Sequence, residues 1–277
     1  MDALKIIMPL LLLLLSSREL LAQTMAQAEQ IKEFYACYME AIETFNQKKE
    51  IKLLQDFLTP EMQEKKERLI QATGSDPLLR AQDASEYGRQ SLACRHLEGS
   101  WYEVSYRWGE NDTVGTKIPL RIKTDSKGEM RICYITPYWG GGGYGDSLFD
   151  IAEQAVKDDK DAETFVETFF KTYAYTYVKM SPTLEQDLDL LRQTYCTATM
   201  LRKYITLSQE YMDDASPMDP LIGCADFDAF WYSSLRVNPL ENNSFEVSYN
   251  TGYNGWCIHV KVMVSEQNGK YRISNLE

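Results

Sequence analysis

The feature that most constrains the fold of this chain is an internal repeat. Residues 76–79 read Asp-Pro-Leu-Leu and residues 219–222 read Asp-Pro-Leu-Ile, while the Glu-Val-Ser-Tyr of 103–106 returns unchanged at 246–249. Both pairs are 143 positions apart. One offset found at two distant places indicates that a folding unit occurs twice. The sequence therefore predicts two related modules, each with an interior of its own.

Each copy begins with a helical pattern and ends with strand patterns. Apolar residues follow the spacing of one buried helix face at 31–45 and again at 166–177. The alternation typical of strands lies at 101–106, 118–123 and 130–135 in the first copy and at 245–249, 256–264 and 270–273 in the second. Helices followed by antiparallel strands predict an α+β fold in which a curved sheet wraps the helices.

The first 22 residues have the pattern of a cleavable secretory signal. A short polar start precedes an apolar run from Ile6 to Leu15, and small residues follow near Ala22. Cleavage after Ala22 is favoured over cleavage after Ala26. The apolar run is shorter than the ~20 residues that span a bilayer, so no integral membrane segment is expected after cleavage. The sequence predicts a periplasmic or secreted protein.

The predicted domain boundaries follow from the leader and the repeat. They are a signal peptide at 1–22, a first repeat at 27–138, a Gly-rich linker with a charged lead-in at 139–160, and a second repeat at 161–277. The glycines of the linker lack the Gly-Lys-Ser/Thr sequence of a phosphate-binding loop. The formal net charge of −12 is unchanged by removal of the leader, and it disfavours nucleic acid as a partner.

Six cysteines in an exported chain leave two interpretations open. Three lie in each half, at positions that do not correspond between the copies, so complete pairing would need at least one disulfide between the halves. The alternative is that they are small buried hydrophobic residues. No Cys or His spacing is typical of a metal site, and we expect neither a metal nor another cofactor.

Three motifs of the first copy resemble the DUF3828 family. They are an opening helix with a Phe-Tyr pair, the Asp-Pro-Leu-Leu segment followed by Ala81-Gln82-Asp83, and a closing strand hairpin. This family of mostly exported bacterial proteins is similar to the NTF2-like, cystatin-like cone fold. The resemblance implies two tandem NTF2-like cones, but the family supplies no settled activity. The second copy departs from it at Cys224-Ala225-Asp226, where only the acid is kept.

The candidate ligand-binding residues are Asp76, Gln82, Asp83, Asp219 and Asp226. Asp76 and Asp83 of the first copy correspond to Asp219 and Asp226 of the second. A structural role explains these acids, because aspartates start turns and bond nearby amides. The alternative places Asp83 and Asp226 at the mouth of each cone, where they would orient a polar ligand. No residue is predicted to be catalytic.

Three functional hypotheses remain open on the sequence alone. The first is a non-catalytic binding module for an unknown small ligand or envelope protein. The second is a cone-pocket isomerase, dehydratase or hydrolase that pairs Asp or Glu with Tyr. The third is an immunity or inhibitor-type protein whose acidic surface suits a basic partner. An intramolecular pseudo-dimer of the two copies is a further hypothesis.

Overall fold

The computed structural model describes residues 3–137, 144–213, 218–252 and 255–277, with side chains from residue 21 onward. The chain divides into two compact units, Met1–Thr59 with Asp83–Ile135, and Pro60–Gln82 with Thr136–Glu277. Neither unit is one continuous stretch, so the units do not coincide with the predicted repeats, whose boundaries stay a prediction. The start of the predicted linker lies outside the described residues, at 139–143.

The first unit contains three helices and a sheet among its described residues. Its elements are α1 (Ala3–Glu43), α2 (Gln47–Phe57), α4 (Glu86–Gln90), β1 (Ala93–His96), β2 (Trp101–Tyr106), β3 (Thr116–Thr124) and β4 (Met130–Ile135). The strands form one antiparallel sheet in the order β1-β2-β3-β4, with a bulge between Arg121 and Ile122.

The core of the first unit lies between α1 and its sheet. The apolar stripe of α1 that contains Ile31, Phe34 and Tyr38 is buried. On the sheet, Val104 and Ile118 are buried as well, and they are directly paired across β2 and β3. Burial of such apolar surface is the main stabilising contribution to a fold of this kind.

The predicted leader falls within α1. The helix is continuous from Ala3 to Glu43, while residues 1 and 2 lie outside the described part. Within the described residues, no helix combines the length and the apolar character needed to cross a membrane. Cleavage after Ala22 stays a prediction.

The second unit contains α3 (Pro60–Thr73) and the C-terminal half of the chain. Its further elements are a 3-10 turn (Asp146–Leu148), α5 (Ala162–Val178), α6 (Leu184–Tyr195), α7 (Ala198–Asp213), α8 (Ala229–Tyr232), β5 (Arg236–Pro239), β6 (Ser244–Asn250), β7 (Cys257–Gln267) and β8 (Lys270–Leu276). The strands form a second antiparallel sheet in the order β5-β6-β7-β8, again with a bulge in its third strand, between Met263 and Val264.

Local sequence explains where the long helices of the second unit begin. The Asp161 side chain accepts a hydrogen bond from the Thr164 amide at 2.7 Å and so caps α5. Pro60 occupies the first position of α3, where its missing N–H costs nothing. The predicted mixed α+β class is therefore confirmed, and the structure contains two four-stranded antiparallel sheets.

Candidate functional site

The first predicted site residue, Asp76, closes a tight turn in the second unit. Its amide donates to the Ala81 carbonyl at 2.9 Å, and its Oδ1 accepts from the Leu78 amide at 2.8 Å. Its Oδ2 lies 3.2 Å from Nζ of the buried Lys66. Arg80 completes this turn with a positive φ of 54°. The carboxylate of Asp76 thus shapes the backbone and balances a buried cation.

Asp219 closes a turn with the same bonds. Its amide donates to the Cys224 carbonyl at 3.0 Å, and its Oδ1 accepts from the Leu221 amide at 2.8 Å. The fifth residue of the turn is Gly223, whose φ is 63°. The repeated Asp-Pro motif therefore has the same structural role in both places: it starts a turn that a hydrogen bond to the aspartate side chain stabilises.

The second oxygen of Asp219 lies in a buried group of phenols. Oδ2 accepts from the Tyr173 hydroxyl at 2.6 Å and from the Tyr177 hydroxyl at 2.8 Å. Burial raises the pKa of both tyrosines well above the ordinary value, and the charge of Asp219 raises it further. Both phenols therefore stay protonated and act as donors to the carboxylate.

Arg192 supplies the positive charge of this group. Its Nη1 lies 3.6 Å from Asp219 Oδ2 and donates to the hydroxyls of Tyr173 and Tyr204, the latter at 2.9 Å. The guanidinium carbon lies 4.6 Å from the centre of the Tyr204 ring, a cation–π arrangement. Asp219 is only 8% exposed, so this Asp-Tyr-Arg cluster is internally satisfied.

Asp226 lies in a second buried ion cluster, also within the second unit. Its Oδ2 is 2.6 Å from Nζ of Lys65, and its Oδ1 is 3.3 Å from Nε of Arg68. Lys65 also donates to the Phe227 carbonyl at 3.1 Å and lies 3.7 Å from Asp228. The side chains of Lys65 and Asp226 are 1% and 0% exposed. Asp226 therefore neutralises a lysine that α3 brings into the interior.

Gln82 and Asp83 are the exposed members of the predicted set. The Gln82 amide donates to the Gly74 carbonyl at 3.1 Å, and Asp83 Oδ1 accepts from the Ala84 amide at 2.8 Å. Asp83 belongs to the first unit, whereas the other four predicted residues belong to the second. Each of the five residues bonds to partners of its own, and Asp76, Asp219 and Asp226 do so within the second unit.

A cleft of about 800 Å³ opens on the first unit. One wall is α1, which contributes Gln23, Gln27, Gln30 and Glu33; the end of α2 and the β3–β4 hairpin form the others. The three glutamines and Glu33 follow each other at spacings of three or four residues, so they lie on one helix face. This polar stripe was not predicted, because the apolar stripe of the same helix dominates the sequence pattern.

Specific bonds hold the walls of the cleft in place. The Tyr102 hydroxyl donates to Gln27 Oε1 at 2.7 Å. On the opposite wall, Arg131 donates to Asp125 at 3.0 Å and to Glu129 at 2.6 Å. The cation of Arg131 is thus shared between two carboxylates.

A second cavity, of about 500 Å³, lies in the second unit. Glu163, Glu167 and Lys171 of α5 line one side, with Tyr232 and Arg236 among the residues of the other. Lys171 forms an ion pair with Glu167. Neither Asp219 nor Asp226 lines this cavity or the cleft of the first unit.

The cysteines and histidines line neither of the two cavities described above. All six cysteines are free thiols, with Cys196 and Cys224 buried and Cys257 exposed. His96 Nε2 lies 3.0 Å from the Gly99 carbonyl, and His259 Nδ1 lies 3.4 Å from a carboxylate oxygen of Glu246. Among the described residues, no three His, Cys, Asp or Glu side chains converge on a possible metal position.

Comparison with known proteins assigns no function to this chain. No family profile and no curated protein matches the sequence. A solved protein of unknown function from Bacteroides thetaiotaomicron VPI-5482 is 30% identical over 45% of this chain and 99% of its own, with a TM-score of 0.42. An Ntf2-like protein involved in plasmid conjugation is 13% identical over 67% of this chain and 75% of its own, with a TM-score of 0.18.

Proposed function

We propose that this chain is an exported, non-catalytic binding module and that its ligand site is the cleft of the first unit. The cleft itself is the observation that carries the proposal. Its volume of about 800 Å³ lies within the range of about 300–1,000 Å³ that small-molecule sites occupy. The leader pattern of residues 1–22 supports export.

The chemistry of the cleft suits a polar ligand. The side-chain amides of Gln23 and Gln30, both exposed, can each donate and accept hydrogen bonds. Phe57 adds an apolar surface at the end of α2. Glu33 has an exposed carboxylate. Arg131 donates hydrogen bonds to both Glu129 and Asp125, so its single charge is divided between two carboxylates. The resulting excess of negative charge favours ligands that carry amide, hydroxyl or cationic groups.

The buried Asp219 cluster weighs against the cone-pocket enzyme. Such an enzyme needs a carboxylate within hydrogen-bond reach of its substrate. Asp219 has two tyrosine hydroxyls within hydrogen-bond distance, but these phenols and a backbone amide already occupy its oxygens. A buried carboxylate whose oxygens are occupied in this way is suited to stabilising the fold.

We further propose that the chain contains two tandem NTF2-like modules of the DUF3828 type. Each sheet is preceded by a long helix, two further helices and a short fourth helix in the same order along the chain. A parallel bridge links the residue after the second helix to the last strand in both places, as Leu58 with Ile132 and as Cys196 with Ile273. The matched turns at Asp76 and Asp219 add a third correspondence.

Affinity capture with matched cleft variants tests the binding proposal. The full-length gene is expressed in an exporting host, and the purified chain is immobilised and exposed to an envelope extract. Bound proteins and small molecules are then identified by mass spectrometry. Glu33→Arg reverses a charge inside the cleft. Glu98→Arg makes the same change at an exposed position of the same unit that does not line the cleft.

We expect wild type and Glu98→Arg to retain one common ligand and Glu33→Arg to lose it, with equal thermal unfolding for all three. Equal capture of the ligand by all three chains would contradict the proposal that the cleft is the ligand site. Recovery of a captured small molecule in a chemically altered form would favour the enzyme hypothesis instead.

A further inference from the structure

The two predicted cleavage positions share a property that bears on the cleft. Cleavage after Ala22 makes Gln23 the first residue, and cleavage after Ala26 makes Gln27 the first residue. Both glutamines line the cleft of the first unit. Under the export proposal, the mature chain therefore begins with a glutamine at the wall of its own ligand site.

The side chains of these two glutamines are held differently. Gln27 is half-buried, and its Oε1 accepts a 2.7 Å hydrogen bond from the Tyr102 hydroxyl. Gln23 is exposed, and no hydrogen bond of its side chain occurs among the described contacts. The amide of Gln23 is therefore free to turn back on its own backbone nitrogen, whereas the amide of Gln27 is anchored to the sheet.

The position of Gln23 also favours a neutral amino group after cleavage. An α-amino group has a pKa of about 7.7–8.0 in the absence of perturbation. A positive charge at the N-terminus of a helix is disfavoured by the helix dipole, and the new first turn, residues 23–26, contains no acid to offset it. A fraction of the amine is thus uncharged, and so nucleophilic, at neutral pH.

We propose that Gln23 is a modification site, at which the processed chain closes its amino terminus into a pyroglutamyl lactam. The α-amino nitrogen attacks Cδ of the Gln23 side chain and forms a new C–N bond. The Cδ–Nε2 bond breaks, Nε2 takes up the proton from the attacking nitrogen, and one ammonia leaves. The step changes no oxidation state and needs no co-reactant. This inference rests on the proposed export and cleavage after Ala22.

The lactam changes the cleft as well as the terminus. It replaces a titratable ammonium with an uncharged five-membered ring that keeps one N–H donor and one carbonyl acceptor. The Gln23 end of the cleft then carries no positive charge to offset Glu33 and Glu129. Closure therefore preserves the acidic character on which the proposed ligand preference depends.

The test is intact-mass measurement with N-terminal peptide sequencing on the full-length gene expressed in an exporting host. The wild type is compared with Gln23→Asn, which keeps a side-chain amide but is one methylene too short to form the five-membered ring. We expect the wild-type mature chain to start at residue 23, to lack the mass of one ammonia and to have lost its free amino terminus. The Asn variant should start at residue 23 with a free amine.

Each other outcome has a distinct meaning. A mature chain that starts at Gln23 and keeps its free amine after incubation at neutral pH overturns the lactam while leaving export intact. A chain that starts at Gln27 also overturns it, because the inference is specific to Gln23. A chain that keeps residues 1–22 in the exporting host refutes the proposed export, and the modification with it.

Discussion

The buried pair of Lys65 and Asp226 makes the most demanding prediction about stability. Lys65→Met removes the charge at nearly constant side-chain volume and leaves Asp226, with no exposed surface, facing Arg68 at 3.3 Å. Loss of one partner of a buried ion pair costs about 3–5 kcal/mol. Because Arg68 still compensates part of the charge, we expect the lower end, about 3 kcal/mol.

Urea unfolding of wild type and variant measures this loss as a difference in the free energy of unfolding. For a unit of this size, 1 kcal/mol corresponds to about 2–4 °C in Tm, so the variant should melt about 6–12 °C lower. The matched control is Lys52→Met, which breaks the pair with Asp56 on the surface of α2. An exposed i,i+4 pair contributes about 0.3–0.5 kcal/mol.

The double variant Lys65→Met/Asp226→Leu separates the pair from the packing around it. The double variant removes the Asp226 carboxylate that Lys65→Met leaves buried without its 2.6 Å partner, so it should be more stable than the sum of the two single effects predicts. The reasoning is wrong if Lys65→Met costs less than about 1 kcal/mol, or if the two single effects add without a coupling energy.

Cysteine alkylation and the pH dependence of stability provide two further predictions. Iodoacetamide should modify the exposed Cys257 in the folded chain but not Cys196, because burial raises the Cys196 pKa to about 12 and the thiolate is the reactive form; equal rates in peptide mapping would contradict this. For Asp158, burial acts to raise the pKa, but bonds to Arg272 and Lys270 outweigh it and the net pKa is lowered. Its contribution to stability is therefore present above the unfolded pKa of about 3.9 and is lost as the pH falls through the lower folded value. Urea midpoints at about pH 6 and pH 3 should converge for wild type and Asp158→Asn at the lower pH; a constant gap would refute the assignment.

The parts of the fold that have a local signal could be predicted from the sequence. The strand pattern at 101–106 coincides with β2, and the helical pattern at 166–177 lies within α5. The four-residue strand β5 was missed, because four mostly exposed residues give no clear alternation. Helix α2 was missed for a related reason: it is polar, and none of its residues is buried.

The buried ion clusters had no signal that sequence reasoning could use. A lysine in a helix rich in charged residues, such as Lys65 in α3, ordinarily faces solvent. Its partner Asp226 lies 161 positions later, so no local spacing connects the two. The turn role of Asp76 and Asp219 could be predicted, because an aspartate bonds the amide two residues on within its own segment.

The assignment of Pro60–Gln82 to the second unit sets an order of events for a newly made chain. Lys65 is synthesised long before Asp226, so α3 must wait for the C-terminal half before its buried ammonium is neutralised. Contacts between such distant positions slow folding. During that interval, the same helix can dock on the second unit of another molecule, so exchange of α3 between chains is the misassembly to which this architecture is most exposed.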